Sequence, residues 1–320
     1  MPRRKVISLF LVLIFIAVFS AGCGGDASVI ARVNGEKILQ NQLEDRIALI
    51  KSGLASQGYS LQEGQDDELL GQIEDEAMNQ LIDEALLMQQ ANKEGVSVSN
   101  DVVQEQIRLM KKQFGTEVFK QLLNQQKLTE DKLAEQIKVQ LTAEALFNKV
   151  TSDISVDSET LKATYEENPA KYEQAKVAHI LIAVDENAPE EKVKAAREKA
   201  QNLISKLNNG EDFAEVAKNN SEDAQSAENG GVIDYYFTRE DTSLVKEFVD
   251  GAFQVEVGQI SKEPVRSPYG FHIIKMLDKK DTFEELEASL EGQLLNEQKN
   301  EAFSDFFNKA KSEAKIENLK

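Results

Sequence analysis

The 320-residue chain is poor in the residues from which most catalytic centres are assembled. It holds one cysteine, Cys23, and two histidines, His179 and His272. A single thiol rules out an internal disulfide framework, and two imidazoles are too few for a zinc cluster. Cys23 lies at the end of an N-terminal leader, which removes a Cys–His nucleophile. No glycine-rich loop with an adjoining lysine of the phosphate-cradling kind is present. Positive charge is scarce too: 37 Lys and Arg stand against 56 Asp and Glu, a net charge of −19. That balance excludes the basic footprint nucleic acid needs and a polybasic grip on anionic lipid. The many carboxylates read as solvated helical faces. Neither a metal nor a cofactor is expected.

What is there begins with a targeting segment. Arg3, Arg4 and Lys5 form a positive head, residues 6–19 carry no charge, and Ser20-Ala21-Gly22-Cys23 follows. The apolar run is shorter than the ~20 residues a membrane-spanning helix needs, and small residues close it as in a secretory signal. The stretch resembles a bacterial lipobox, with Ser20 where that motif usually has Leu. The resemblance implies removal of residues 1–22 and acylation of Cys23. A lipid anchor would then hold the protein on the cell membrane, facing the extracytoplasmic side, since each buried CH₂ contributes ~0.8 kcal/mol. An ordinary signal peptide and an uncleaved anchor are the alternatives. Loss of the leader removes three positive charges and no acid, leaving −22.

The rest of the chain is too long for one simple core and divides into lobes. After a tether at 23–28, Asn34-Gly35 between apolar alternations signals a hairpin. From 39 to about 149 the chain is helical with interruptions. Leu70, Ile73, Ala77, Leu81, Ala85 and Met88 step at helical spacing until Gly95. Ser99 is placed to cap a helix bearing Val103, Ile107 and Met110, and Thr129 to cap one bearing Leu133, Ile137, Leu141 and Leu146. These stripes read as helix–helix core, with an apolar cradle for unfolded chains as the alternative.

The two histidines each open a similar apolar run, His179-Ile-Leu-Ile and His272-Ile-Ile-Lys. Each reads as a buried strand; if the strands are neighbours, both imidazoles meet in one site. Between them the pattern predicts a long helix from 189 to about 207, a short one at 212–218, a polar loop at 221–226, a strand at 232–237, a short helix at 244–253 and a hairpin from Pro264-Val265 into a strand at 270–277. This order makes an α+β domain. Thr282 is placed to cap a helix to about 314 whose apolar side needs a partner; it is expected to pack back on the N-terminal helices, and the segment after it to pair with the strand near Ala31.

Ala178-His-Ile-Leu-Ile182, Gly210-Glu-Asp-Phe-Ala214, Ser221-Glu-Asp223, Gly230-Gly231, Glu247-Phe248 with Ala252-Phe253, Gly258-Gln-Ile-Ser261 and Pro264-Val265 with Tyr269-Gly-Phe-His-Ile-Ile274 occur in one order within about 110 residues. Residues 172–280 thereby resemble a parvulin-type peptidyl-prolyl isomerase domain. With the lipobox and helical flanks, the whole chain is similar to PrsA-type foldase lipoproteins. Their SurA-like N-terminal lobe often starts with a segment like Val33-Asn34-Gly35. The resemblance implies an α+β fold: a small antiparallel sheet with flanking helices at 172–280, inserted into a mainly helical SurA-like chaperone lobe made of 29–168 and 281–320. It implies isomerisation of X–Pro bonds in secreted polypeptides, the family's paired histidines at His179 and His272, and Asp223 near the substrate carbonyl. Leu244 and Phe248 would line the proline pocket, and Ser267 and Tyr269 would supply polar groups. Phe271 alternates away from His272 and reads as core.

Rotation about an X–Pro bond faces a barrier of roughly 18–20 kcal/mol. A 10⁴-fold acceleration needs only ~5.5 kcal/mol of preferential binding to the twisted amide. After Gly230-Gly231 the chain departs from the family's pattern, reading Val-Ile-Asp-Tyr-Tyr-Phe, with two further residues inserted before Leu244. A holdase chaperone with a weak or inactive isomerase domain is therefore the second reading. A solute-binding lipoprotein of a transporter is a third, opposed by the long helical runs. A homodimer through the helical lobe is left open.

Overall fold

The computed structural model describes residues 28–319 apart from 60, 62, 63, 65 and 127. The leader, Cys23 and most of the tether lie outside the described residues. In chain order the elements are β1 (Val29–Val33), β2 (Glu36–Leu39), α1 (Gln40–Ser56), α2 (Asp67–Lys93), α3 (Asn100–Phe114), α4 (Thr116–Gln125), α5 (Glu130–Val150), α6 (Ser158–Glu167) and α7 (Pro169–Tyr172). They continue as β3 (Gln174–Ala183), α8 (Glu190–Asn208), α9 (Phe213–Asn220), α10 (Ala224–Ala227), α11 (Lys246–Ala252), β4 (Val265–Ser267), β5 (Gly270–Lys280), α12 (Phe283–Glu313) and β6 (Ile316–Asn318). Among the described residues no helix is long and apolar enough to cross a membrane. The chain forms two compact units. One comprises residues up to Ile154 together with Gln298–Lys320, the other Ser155–Glu297.

The first unit is mainly helical and is closed by its two chain ends. Asn34 and Gly35 take φ values of 51° and 87°, the paired positive angles of a tight hairpin turn. β6 pairs antiparallel with β1, with Ala31 opposite Asn318 and Val33 opposite Ile316, giving the order β2-β1-β6. Asn34 clamps the join: its N–H donates to the Lys315 carbonyl (2.9 Å) and its Oδ1 accepts from the Lys315 N–H (2.8 Å). Ile73, Ala77, Leu81 and Ala85 of α2 are buried, as their spacing requires, and Phe307 of α12 packs on the same core as Leu81 and Leu86. Gly95, at φ 70°, follows α2. Thr129 caps α5 by accepting from the Lys132 N–H at 3.2 Å; Ser99 occupies the cap position of α3 without a side-chain bond.

Arg46 and Glu84 are 1% and 4% exposed and pair at 2.7 Å between α1 and α2. Arg46 Nη1 also donates to Gln80 Oε1 at 3.1 Å. Burial pushes the Glu84 carboxyl up to about 7 against the opposing pull of Arg46.

The second unit is built on the antiparallel sheet β3-β5-β4. Residues alternate across it. Ala178, Ile180, Ile182, Phe271 and Ile273 face α8 and α9. Val177, Ile274 and Met276 face α11 with Phe237, Phe248 and Val249. Three local expectations are corrected. Residues 232–237 form isolated bridges to β3 at Val232 and Phe237, not a strand. Their polar middle turns outward, Asp234 pairing with Lys176 at 2.7 Å and the Tyr236 hydroxyl bonding Asp278. The stretch expected as loop at 221–226 contains α10. The first half of α12, expected on the N-terminal helices, buries Leu286 and Leu290 with Leu161 and Tyr172 of α6 and α7 in the second unit. That contact extends this unit beyond 172–280. The second half of α12 serves the first unit, with Phe303 edge-on to Phe147 at 5.3 Å and Lys311 paired with Asp83 at 2.6 Å.

A buried ion pair broken on one side leaves an uncompensated charge, at a cost of 3–5 kcal/mol. Arg46→Met should therefore lower the unfolding free energy of the first unit by about 3 kcal/mol in urea titration, and adding Glu84→Leu should recover most of it. A loss below about 1 kcal/mol for the single variant would contradict the pairing.

Candidate functional site

The register of β3 on β5 sets His179 opposite Ile274 and His272 opposite Leu181. The two histidines are diagonal neighbours on one face of the sheet, and both are buried, 7% and 4% exposed. Their rings stack with an interplanar angle of 18° and a centroid separation of 5.5 Å. Phe248 of α11 meets both edge-on, at 5.2 and 5.1 Å. The apolar alternation that makes the strands thus also delivers the imidazoles, and the helix over that face lids them with an aromatic ring.

The polar contacts form one line. His179 Nδ1 lies 3.2 Å from His272 Nδ1. His179 Nε2 lies 2.9 Å from Asp223 Oδ2 and 3.1 Å from Ser226 Oγ. Ser226 Oγ donates to Asp223 Oδ2 at 2.5 Å. At the other end Ser267 Oγ lies 2.7 Å from His272 Nε2 and accepts the Tyr269 N–H at 3.2 Å. An ionised carboxylate only accepts, so His179 carries its proton on Nε2 and presents a bare Nδ1. His272 must then donate from Nδ1, leaving its Nε2 to accept from the Ser267 hydroxyl. Every donor finds an acceptor with both rings neutral, and the direction runs from Tyr269 to Asp223.

The electrostatics agree with that assignment. Burial holds His179 below the usual imidazole value, against the hydrogen bond and charge of Asp223. Burial, then the neighbouring His179, pushes His272 down to about 3. For Asp223 burial acts upward but is outweighed by hydrogen bonds from Ser226, His179 and the Gln225 N–H, which hold its carboxyl below the ordinary range.

Two backbone features fix the geometry. Asp223 caps α10, and this turn brings Ser226 back to the carboxylate three residues on. Gly231, at φ 80°, approaches β3 so closely that a Cβ would fall 2.1 Å from the His179 carbonyl oxygen. Its own carbonyl accepts the His179 N–H at 2.8 Å.

Of the expected residues, the structure brings His179, His272, Asp223, Phe248 and Ser267 together. Ser267 is buried and committed to His272. Leu244 is half-buried against the cluster of Phe237 and Phe248. Tyr269 contributes its N–H, while its side chain is 64% exposed at the hairpin. Phe271 lies in the core on the opposite face. Sequence reasoning passed over Ser226; its spacing from the capping Asp223 was the available signal. Among the described residues no group of three or more His, Cys, Asp or Glu side chains is placed to hold a metal.

Neutral buried histidines make stability depend on pH. Between about 3 and 6.5 the unfolded chain binds protons that folded His272 does not. Stability of this unit therefore falls as pH drops through that window, by about 1.4 kcal/mol per pH unit for His272; Asp223 adds a further loss only below its ordinary value of about 4. Urea unfolding between pH 4 and 6.5 should show this slope, reduced by roughly that amount in His272→Gln. Equal slopes would contradict a neutral buried ring.

Comparison with known proteins gives the family of the chain. Residues 161–280 match the PPIC-type PPIase domain and residues 3–147 the SurA-like N-terminal domain. The foldase protein PrsA of Caldanaerobacter subterraneus subsp. tengcongensis is 30% identical over 325 residues, covering 98% of this chain and 96% of that one. The chaperone SurA of Nitrosococcus oceani is 31% identical over 256 residues, covering 78% of this chain and 58% of that one. A solved structure of the peptidylprolyl isomerase PrsA from Bacillus anthracis is 27% identical with a TM-score of 0.36, covering 73% of this chain and 97% of that one. With a domain of each kind and a relative matched over nearly its whole length, the chain belongs to the PrsA family of foldases and carries a PPIC-type peptidyl-prolyl isomerase domain.

Proposed function

We propose that the chain is a lipid-anchored extracytoplasmic foldase, held on the membrane through Cys23, that isomerises X–Pro bonds of secreted polypeptides at His179, His272 and Asp223. The observation that carries the assignment of the site is the directed hydrogen-bond line through both imidazoles. It fixes the Asp223 carboxylate at one end of a neutral floor, with apolar Phe248 and Leu244 beside it.

That arrangement suits a reaction in which no bond to a catalyst forms. A planar amide carries partial negative charge on its oxygen; a twisted one carries less. A carboxylate near the prolyl carbonyl destabilises the planar form more than the twisted form, and the apolar side holds the pyrrolidine ring while the carbonyl turns. Binding energy is thereby directed to the transition state. The histidines act as a rigid support, since neutral rings bonded at both nitrogens have no proton to give.

Holding of unfolded segments belongs to the first unit in this reading. A cleft of about 1400 Å³ there is lined by Leu49, Met88, Val103 and Val139 along with polar side chains. It supports the view that binding and isomerisation are separate capacities of one chain.

Proline-limited refolding of a test protein, alongside an X–Pro peptide assay, examines the site. Asp223→Ala and His179→Ala should each lower kcat/KM at least about tenfold, equivalent to ~1.4 kcal/mol of transition-state stabilisation. Unchanged isomerisation in both would remove these residues from the reaction; suppressed aggregation without isomerisation in the unaltered protein would make it a holdase. For the anchor, Cys23→Ala should release the protein from the membrane fraction, and retention there would refute lipidation at this residue.

A further inference from the structure

The sheet order leaves one side of β3 without a neighbouring strand, and an edge of this kind exposes backbone groups that need partners. The loops of this unit supply them in turn. Phe237 exchanges both backbone bonds with Ala175, the Ile233 N–H donates to the Val177 carbonyl (3.0 Å), and the His179 N–H donates to Gly231. Leu181 is served by residues 221 and 222: its N–H donates to Ser221 Oγ at 3.1 Å and its carbonyl accepts the Glu222 N–H at 2.8 Å. At Ala183 the partner is a side chain. The Ala183 N–H donates to Glu222 Oε2 at 3.1 Å, and the other oxygen, Oε1, accepts from Lys199 Nζ of α8 at 2.9 Å.

Glu222 is thus stapled to β3 through both its main chain and its carboxylate, directly before the residue whose carboxylate meets His179. Its ion pair with Lys199 is about half exposed on each side, and such pairs add little to stability. What the staple governs is placement. Asp223 must accept from His179, Ser226 and the Gln225 N–H together, and that is met only while the loop keeps its register on the strand.

We propose that Glu222, oriented by Lys199, is a positioning residue for isomerisation: it holds the loop that presents Asp223 to His179 and so keeps the His179 proton on Nε2. This rests on the reading of His179 and Asp223 as part of the reacting centre. The residue touches no substrate. It acts on the turnover step through Asp223, leaving affinity for the prolyl segment alone.

The test is steady-state isomerisation of an X–Pro peptide together with nitrogen NMR of the protein labelled with ¹⁵N at its two histidines. Glu222→Ala should lower kcat roughly tenfold with KM unchanged, the scale of a modest misplacement near a reacting group. It should also convert His179 from a single Nε2–H tautomer to a mixture. Glu222→Gln keeps an acceptor for the Ala183 N–H and should rescue both readouts to within about twofold of the unaltered protein. Lys199→Met, which leaves the carboxylate in place, should give a smaller loss in kcat in the same direction and serves if Glu222→Ala does not fold. Unaltered kcat and an unaltered tautomer in Glu222→Ala would overturn the proposal, as would an equal fall in the Ala and Gln variants. An unaltered protein without isomerase activity would defeat the functional reading instead, and the tautomer would still report on positioning.

Discussion

Two buried imidazoles in contact through like nitrogens impose a strict condition: one must donate and the other accept. The 3.2 Å approach of His179 and His272 needs one Nδ1 protonated and the other bare, and burial, which holds both rings below the usual imidazole value, favours meeting it with neutral rings of opposed tautomer. Each neighbouring feature serves that condition. Asp223 and Ser226 fix the proton at one end, Ser267 supplies a hydroxyl at the other, and Phe248 keeps water from the ring edges. The strand register that makes the rings diagonal neighbours and the glycine that lets residues 230–231 approach β3 are the backbone side of the same demand.

The two units carry buried titratable groups of opposite tendency. In the sheet-bearing unit, neutral histidines favour folding more as pH rises toward 6.5. In the helical unit, Glu84 is raised by burial to about 7; it binds a proton more tightly folded than unfolded, and its contribution fades as pH rises through that value. The helical unit and the isomerase domain, joined in one chain, therefore respond differently to the same change of medium.

Much of this was legible in the sequence because it rests on periodicity and end signals. The helical stripe from Ile73 to Ala85, the Asn34-Gly35 turn and the repeated His-Ile runs are short-range patterns with few alternatives. The family resemblance supplied Asp223 and Phe248, which no local pattern would single out. What escaped depended on tertiary partners. Residues 232–237 have strand composition but share only two isolated bridges with β3, while Asp234 and Tyr236 turn outward to the side chains of Lys176 and Asp278. The apolar side of α12 declared that the helix needed a partner; only packing showed that Leu286 and Leu290 choose Tyr172 and Leu161. Ser226 was hidden for a similar reason, since its three-residue spacing from Asp223 is a weak signal until the turn that returns it to that carboxylate is known.

The central claim is a statement about where four ring nitrogens hold their protons. Neutron diffraction from deuterium-exchanged crystals near neutral pH reads those positions directly. The account predicts deuterium on Nε2 of His179 and on Nδ1 of His272, with the other two nitrogens bare. Deuterium on both nitrogens of either ring, or on Nε2 of His272, would contradict it.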